Sequence, residues 1–137
     1  PVFVDSDVII SSLISRNGAA YLLMRDARID RFISDVSFAE LKRVAVKLHI
    51  REKDLVQLVR LQCKTIMIAE KKGALKRMSE LTRDMGDAHI VLGAREARAK
   101  FLVTYNMKHF RTEKILDDLG IIVLSPAFLL QYLRSLN

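Results

Sequence analysis

Short apolar runs alternate along this chain with longer stretches in which apolar residues recur every three or four positions. The runs at residues 2–4, 31–34, 65–68, 101–104 and 121–124 predict β-strands. Ile90, Val91, Ala94 and Ala97 recur at the spacing of one helix face. Ala39, Val44 and Leu48 predict a second helical stripe, and Leu55, Leu58, Val59 and Gln62 a third. Residues 19–28, 71–82, 112–119 and 126–136 complete the helical set. Ser125-Pro126 opens the last helix, and Gly120 stops the one before it. Strands alternating with helices imply a single α/β domain over residues 1–137. Its expected architecture is a three-layer α/β/α stack around a mainly parallel five-stranded sheet. In such sheets ligands bind beyond the carboxyl ends of the strands, where the strand order reverses.

That rule gives meaning to the acids. Asp5 closes the first predicted strand, and Glu40 lies in the helix after the second. Asp87 opens the helix before the fourth strand, with Asp84 three residues earlier, and Asn106 follows the fourth. A carboxylate beside a buried strand is costly unless a cation, a hydrogen bond or a helix N-terminus compensates. Hard divalent cations prefer oxygen ligands, and Mg²⁺ commonly takes one or two carboxylates while keeping several waters. Asp5, Glu40 and Asp87 therefore make sense as ligands in phosphodiester hydrolysis, with Asn106 binding through its carbonyl or a water and Asp84 as an additional or outer acid. Each also has a plainer reading. Asp7 can cap a helix beginning at Val8 or support the site from behind. Ser37-Phe38-Ala39-Glu40 fits a capping box. Asp84 and Asp87 suit a helix start, and Asn106 a turn.

Composition narrows the partner. The 137 residues are 50% hydrophobic and 28% charged, as in ordinary globular proteins. No apolar run has the length of a membrane span, and the start shows no basic region followed by a long apolar segment. A cytoplasmic protein is the expectation. Cys63 is the only cysteine, which excludes an internal disulfide and a cysteine zinc cluster. The net charge of +7 is unevenly spread. Between Lys42 and Arg83, twelve Lys/Arg face four Asp/Glu, an excess of +8 that leaves −1 for the rest. Such a segment attracts phosphate backbones, or forms a solvated helical surface. The three histidines are dispersed, and no P-loop or dinucleotide fingerprint is present.

Taken in order, the motifs resemble the PIN domain, a metal-dependent nuclease module, and within it the stand-alone prokaryotic proteins related to VapC-type toxins. Val4-Asp5-Ser6-Asp7-Val8-Ile9-Ile10 looks like the family's opening strand, and Ser37-Phe38-Ala39-Glu40-Leu41 like the segment with its second acid. Residues 83–91, Arg83-Asp84-Met85-Gly86-Asp87-Ala88-His89-Ile90-Val91, are similar to the third. Residues 102–110, around Thr104-Tyr105-Asn106-Met107-Lys108-His109, resemble the fourth, and Ser125-Pro126 the common ending. The resemblance implies Mg²⁺ or Mn²⁺ held by Asp5, Glu40 and Asp87, with Asn106 completing the pocket. It implies support from Ser6, Asp7 and Thr104. Lys42, Arg43, Arg83, Lys108 and His109 would contact RNA, with DNA not excluded as a substrate. A small antitoxin protein and a homodimer are the further partners it implies. Many relatives carry Asp where this chain has Asn106, which bears on a second metal.

Two other functions fit parts of the pattern. Asp5-Ser6-Asp7 also resembles the nucleophile strand of haloacid-dehalogenase-like phosphatases, which need a lysine such as Lys71 or Lys72. A PIN-like RNA-binding or assembly module without activity is the non-enzymatic alternative, motivated by Asn106.

Overall fold

The computed structural model describes residues 1–136. Five strands form one sheet: β1 (Val2–Val4), β2 (Arg31–Ser34), β3 (Cys63–Ile66), β4 (Phe101–Val103) and β5 (Ile122–Leu124). Their order is β3-β2-β1-β4-β5, and every pairing is parallel. The helices are α1 (Ser6–Ile14), α2 (Ala19–Leu23), α3 (Asp35–Lys47), α4 (Glu52–Gln62), α5 (Lys72–Met78), α6 (Ala88–Glu96), α7 (Thr112–Leu119) and α8 (Pro126–Ser135). Side chains alternate across the strands, so the sheet feeds two cores. Val2, Val4, Ile33, Phe101 and Val103 pack with α1 to α4 and α8. Phe3, Leu102 and Val123 pack with α5, α6 and α7 on the other face. This is the expected three-layer α/β/α architecture. No described helix is long and apolar enough to cross a membrane.

Strand order reverses between β1 and β4, because the chain leaves β1 toward β2 and returns on the opposite side. The carboxyl ends of β1 and β4 therefore border the crevice where α/β sheets bind ligands. Helix α6 lies close over this seam. A Cβ added at Gly93 would collide with the Phe3 ring of β1. As α6 runs into β4, its N-terminus and Asp87 stand at the same end of the sheet as Asp5.

The third strand lies two residues earlier than the apolar run at 65–68 suggests. The Asp35 carboxylate accepts the backbone N–H groups of Ile68 and Ala69 at 2.9 and 3.1 Å, drawing them out of the ladder. Helix α2 ends at Leu23 rather than continuing to residue 28. The buried Arg31 guanidinium takes the carbonyls of Leu23 and Asp26, both at 2.8 Å, in place of further helical bonds. Helix α3 buries Ser37, Leu41 and Ala45, one face at a four-residue interval, while Leu48 is exposed. The capping box at Ser37 is also corrected. Ser34 is the cap, its hydroxyl accepting Ser37 N–H at 3.0 Å. Asp7 caps no helix at Val8, because α1 already begins at Ser6.

Candidate active site

Asp5 follows β1 directly, its N–H bonded to Val103 O of the neighbouring strand at 3.0 Å. Only 6% of it is exposed. Thr104, the residue after β4, donates its hydroxyl to Asp5 Oδ2 at 2.9 Å. Ser6 Oγ lies 3.4 Å from both Asp5 Oδ1 and Glu40 Oε1, so one hydroxyl spans the first and second acids. Glu40 projects from α3 toward α6, where His89 Nε2 meets its Oε2 at 3.2 Å. Asp87, at the start of α6, is met by His109 Nδ1 at 3.2 Å. Asp5, Ser6, Asp7, Glu40, Asp87, Asn106 and His109 all line one pocket of about 450 Å³.

The electrostatics follow from burial and company. Burial, with the nearby Asp7 carboxylate adding to it, pushes the Asp5 carboxyl up to about 7. Burial also raises Asp7 and Asp87 above the ordinary carboxylate range. Glu40 moves the other way, held below its ordinary value chiefly by the His89 hydrogen bond. A protein group thus stands at each of these three acids: Thr104 at Asp5, His89 at Glu40 and His109 at Asp87.

Among the described residues, no group of three or more His, Cys, Asp or Glu side chains already closes into a metal cage. The donor set nevertheless fits a hard dication. Carboxylates and an amide supply only oxygen ligands, and Asp5 bears a desolvation penalty that a neighbouring positive charge would offset. Asp84 stands apart from this pocket. Its carboxylate is turned back to accept Gly86 N–H at 2.8 Å, capping a 3₁₀ turn at Met85–Asp87.

Of the predicted substrate contacts, His109 lines the pocket, whereas Lys42, Arg43, Arg83 and Lys108 do not. Lys42 Nζ lies over the Phe38 ring, 4.8 Å from its centre. Arg43 is near enough to help hold the Glu40 carboxyl down. Arg83 lines a separate groove of about 610 Å³ with Phe110, Arg111 and Lys114. Lys108 is in a 3₁₀ turn at Met107–His109 and faces solvent. Lys71, one of the two candidates for the lysine a phosphatase would need, is paired with Glu96 at 3.3 Å.

Sequence reasoning missed the His89–Glu40 pair and the apolar wall of the pocket, formed by Ile10, Ile14, Val44 and Ile90. Ile10 and Ile14 sit four apart on α1, a spacing that could have drawn attention. Ile14 is 64% exposed, yet periodicity alone does not separate a pocket wall from a core stripe.

An open parallel sheet with carboxylates gathered at its reversal point defines a class of α/β protein that binds ligands with acidic side chains. A family model described as the PIN domain matches residues 1–108, and the chain belongs to that family of nucleases. Two solved structures share the fold. One is VapBC2 from Rickettsia felis bound to a DNA fragment from its promoter, with a TM-score of 0.60 and 16% identity, covering 90% of this chain and 97% of that one. The other is FitAB bound to the IR36 DNA fragment, with a TM-score of 0.63 and 16% identity, covering 92% and 95%. No curated protein matches the sequence.

Proposed function

We propose that this protein is a divalent-metal-dependent endoribonuclease and the toxin of a toxin–antitoxin pair. The observation that carries the reading is the convergence of Asp5, Glu40, Asp87 and Asn106 on one pocket at the sheet's reversal point. Asp5, Glu40 and Asp87 would hold Mg²⁺ or Mn²⁺, which neutralises phosphate charge and acidifies water for attack on phosphorus. Ser6 and Thr104 orient the Asp5 carboxylate through its two oxygens. His89 favours the ionised form of Glu40, and His109 Nδ1 faces the Asp87 carboxylate at the pocket. Arg43, Lys42, Arg83 and Lys108 lie outside the acidic pocket, where the flanking phosphates of an RNA strand would run.

The pairing with an antitoxin is supported by the fold shared with the VapBC2 and FitAB complexes. A small partner protein would act by covering the pocket. The test is a titration of Mg²⁺ and Mn²⁺ against single-stranded RNA and DNA. The expected result is RNA cleavage that EDTA suppresses and that Asp5→Asn reduces by at least about 100-fold, the scale of losing a principal charge-stabilising group. Full turnover by the Asp5→Asn protein would remove the proposed site. RNA binding with no cleavage under any metal would favour the non-enzymatic module instead.

A further inference from the structure

Asn106 does not stand alone in the pocket: its amide is held by Asp7. Asn106 Nδ2 donates to Asp7 Oδ2 at 3.0 Å, and the same oxygen accepts Tyr105 N–H at 3.1 Å. Thr104 Oγ1 accepts the backbone N–H of Asn106 at 3.0 Å, fixing the main chain on the other side. Both Asp7 and Asn106 line the pocket. The other Asp7 oxygen, Oδ1, is buried without a hydrogen-bond partner among the described residues.

The chemistry of the two groups dictates the orientation. An ionised carboxylate only accepts hydrogen bonds, so the amide nitrogen must be the atom that faces Asp7. The Asn106 carbonyl oxygen then takes the other position in the same amide plane, turned away from Asp7 Oδ2. No hydrogen bond among the described residues ends on that oxygen. A carboxylate at position 106 would replace this donor–acceptor contact by two anions at the same separation, beside the buried Asp5.

We propose that Asp7 is a positioning residue for Asn106, holding its amide so that the carbonyl oxygen is presented to the cation. Position 106 is thus built for an amide, and is not a degraded acid. The inference rests on the metal-dependent reading above. It separates two roles for Asp7: a hydrogen-bond acceptor that orients Asn106, or a negative charge that attracts the cation directly.

Asp7→Asn keeps an acceptor for Tyr105 and Asn106 but removes the charge, whereas Asp7→Ala removes both. Calorimetric titration with Mn²⁺ is expected to give an affinity within about threefold of the natural chain for Asp7→Asn. For Asp7→Ala a loss of about tenfold or more is expected, as for other residues that orient a ligand. A second measurement needs no metal. In EDTA, Asn106→Asp is expected to lower the melting temperature more when residue 7 is Asp than in the Asp7→Asn background. Equal Mn²⁺ losses for Asp7→Asn and Asp7→Ala would overturn the orienting role. Equal melting shifts in the two backgrounds would overturn the pairing. If the natural chain binds Mn²⁺ and cuts RNA in either case, only this inference falls. If the natural chain takes up no Mn²⁺, both the nuclease reading and the orienting role fall together.

Discussion

The Asp5 carboxyl has a free-energy problem that its neighbours only partly relieve. Thr104 and the backbone favour its ionised form, but burial and the Asp7 charge outweigh them and raise it from 3.8 to about 7. A carboxyl raised on folding stabilises the native state while both states are protonated at low pH. That stabilisation is lost as pH rises from about the unfolded value, 3.8, through about 7. Asp7 and Asp87 are raised too and act in the same direction, whereas Glu40 is lowered and acts oppositely, over a more acidic range. In EDTA the melting temperature is therefore expected to fall between about pH 4 and about pH 7, apart from the background of the other groups. Asp5→Asn, which has no carboxyl to titrate, should show a smaller fall. Parallel melting curves for the two proteins would show that Asp5 is not the group responsible.

At the scale of elements, two devices place the site. Gly93 lets α6 approach β1 until its backbone rests on the Phe3 ring, and this contact sets where Asp87 lies relative to Asp5. Gly93→Ala forces the ring or the helix to move. It is expected to cost about 1–3 kcal/mol in denaturant unfolding, the range for overpacking a core. Helix endings are the second device. Helix α3 closes with Ile50 N–H on Ala45 O at 2.9 Å and His49 N–H on Val46 O at 3.3 Å, with His49 at a φ of 58°. Helix α6 ends the same way, with Arg98 at a φ of 53°. Both are paired closures that usually carry glycine at the left-handed residue. His49→Gly is expected to raise unfolding stability by up to about 1 kcal/mol, because glycine relieves the left-handed strain. A loss of stability on unfolding would mean that the His49 side chain makes a contact that matters more than its backbone strain.

For the whole molecule, the excess of +8 between Lys42 and Arg83 spans α3, α4, β3 and α5, along one side of the sheet and across its edge. Each cation that contacts a phosphate of single-stranded RNA contributes about 0.7 to the slope of log affinity against log salt. Replacing Lys42 and Arg43 together by Ala is expected to reduce that slope by about 1.4, measured with the Asp5→Asn protein so that RNA stays intact. An unchanged slope would assign both residues to the solvated surface. Lys42, lying over Phe38, would then serve packing alone.

The elements were readable because their signals are local. Short apolar runs marked β1, β2, β4 and β5, Ser125-Pro126 and Gly120 marked helix boundaries, and the stripe from Ile90 to Ala97 marked the buried face of α6. The acids were also visible, since Asp5, Glu40, Asp87 and Asn106 stand at the borders of these elements. What the chain could not show was which groups answer them. Asp35 reaching the backbone beyond β3, His89 on Glu40 and Asp7 on the Asn106 amide join segments distant in sequence. Periodicity sets which face of an element is buried. Only the close approach of β1, β4, α3 and α6 decides which charges share a pocket and how far burial shifts them, because both depend on distance through the folded interior.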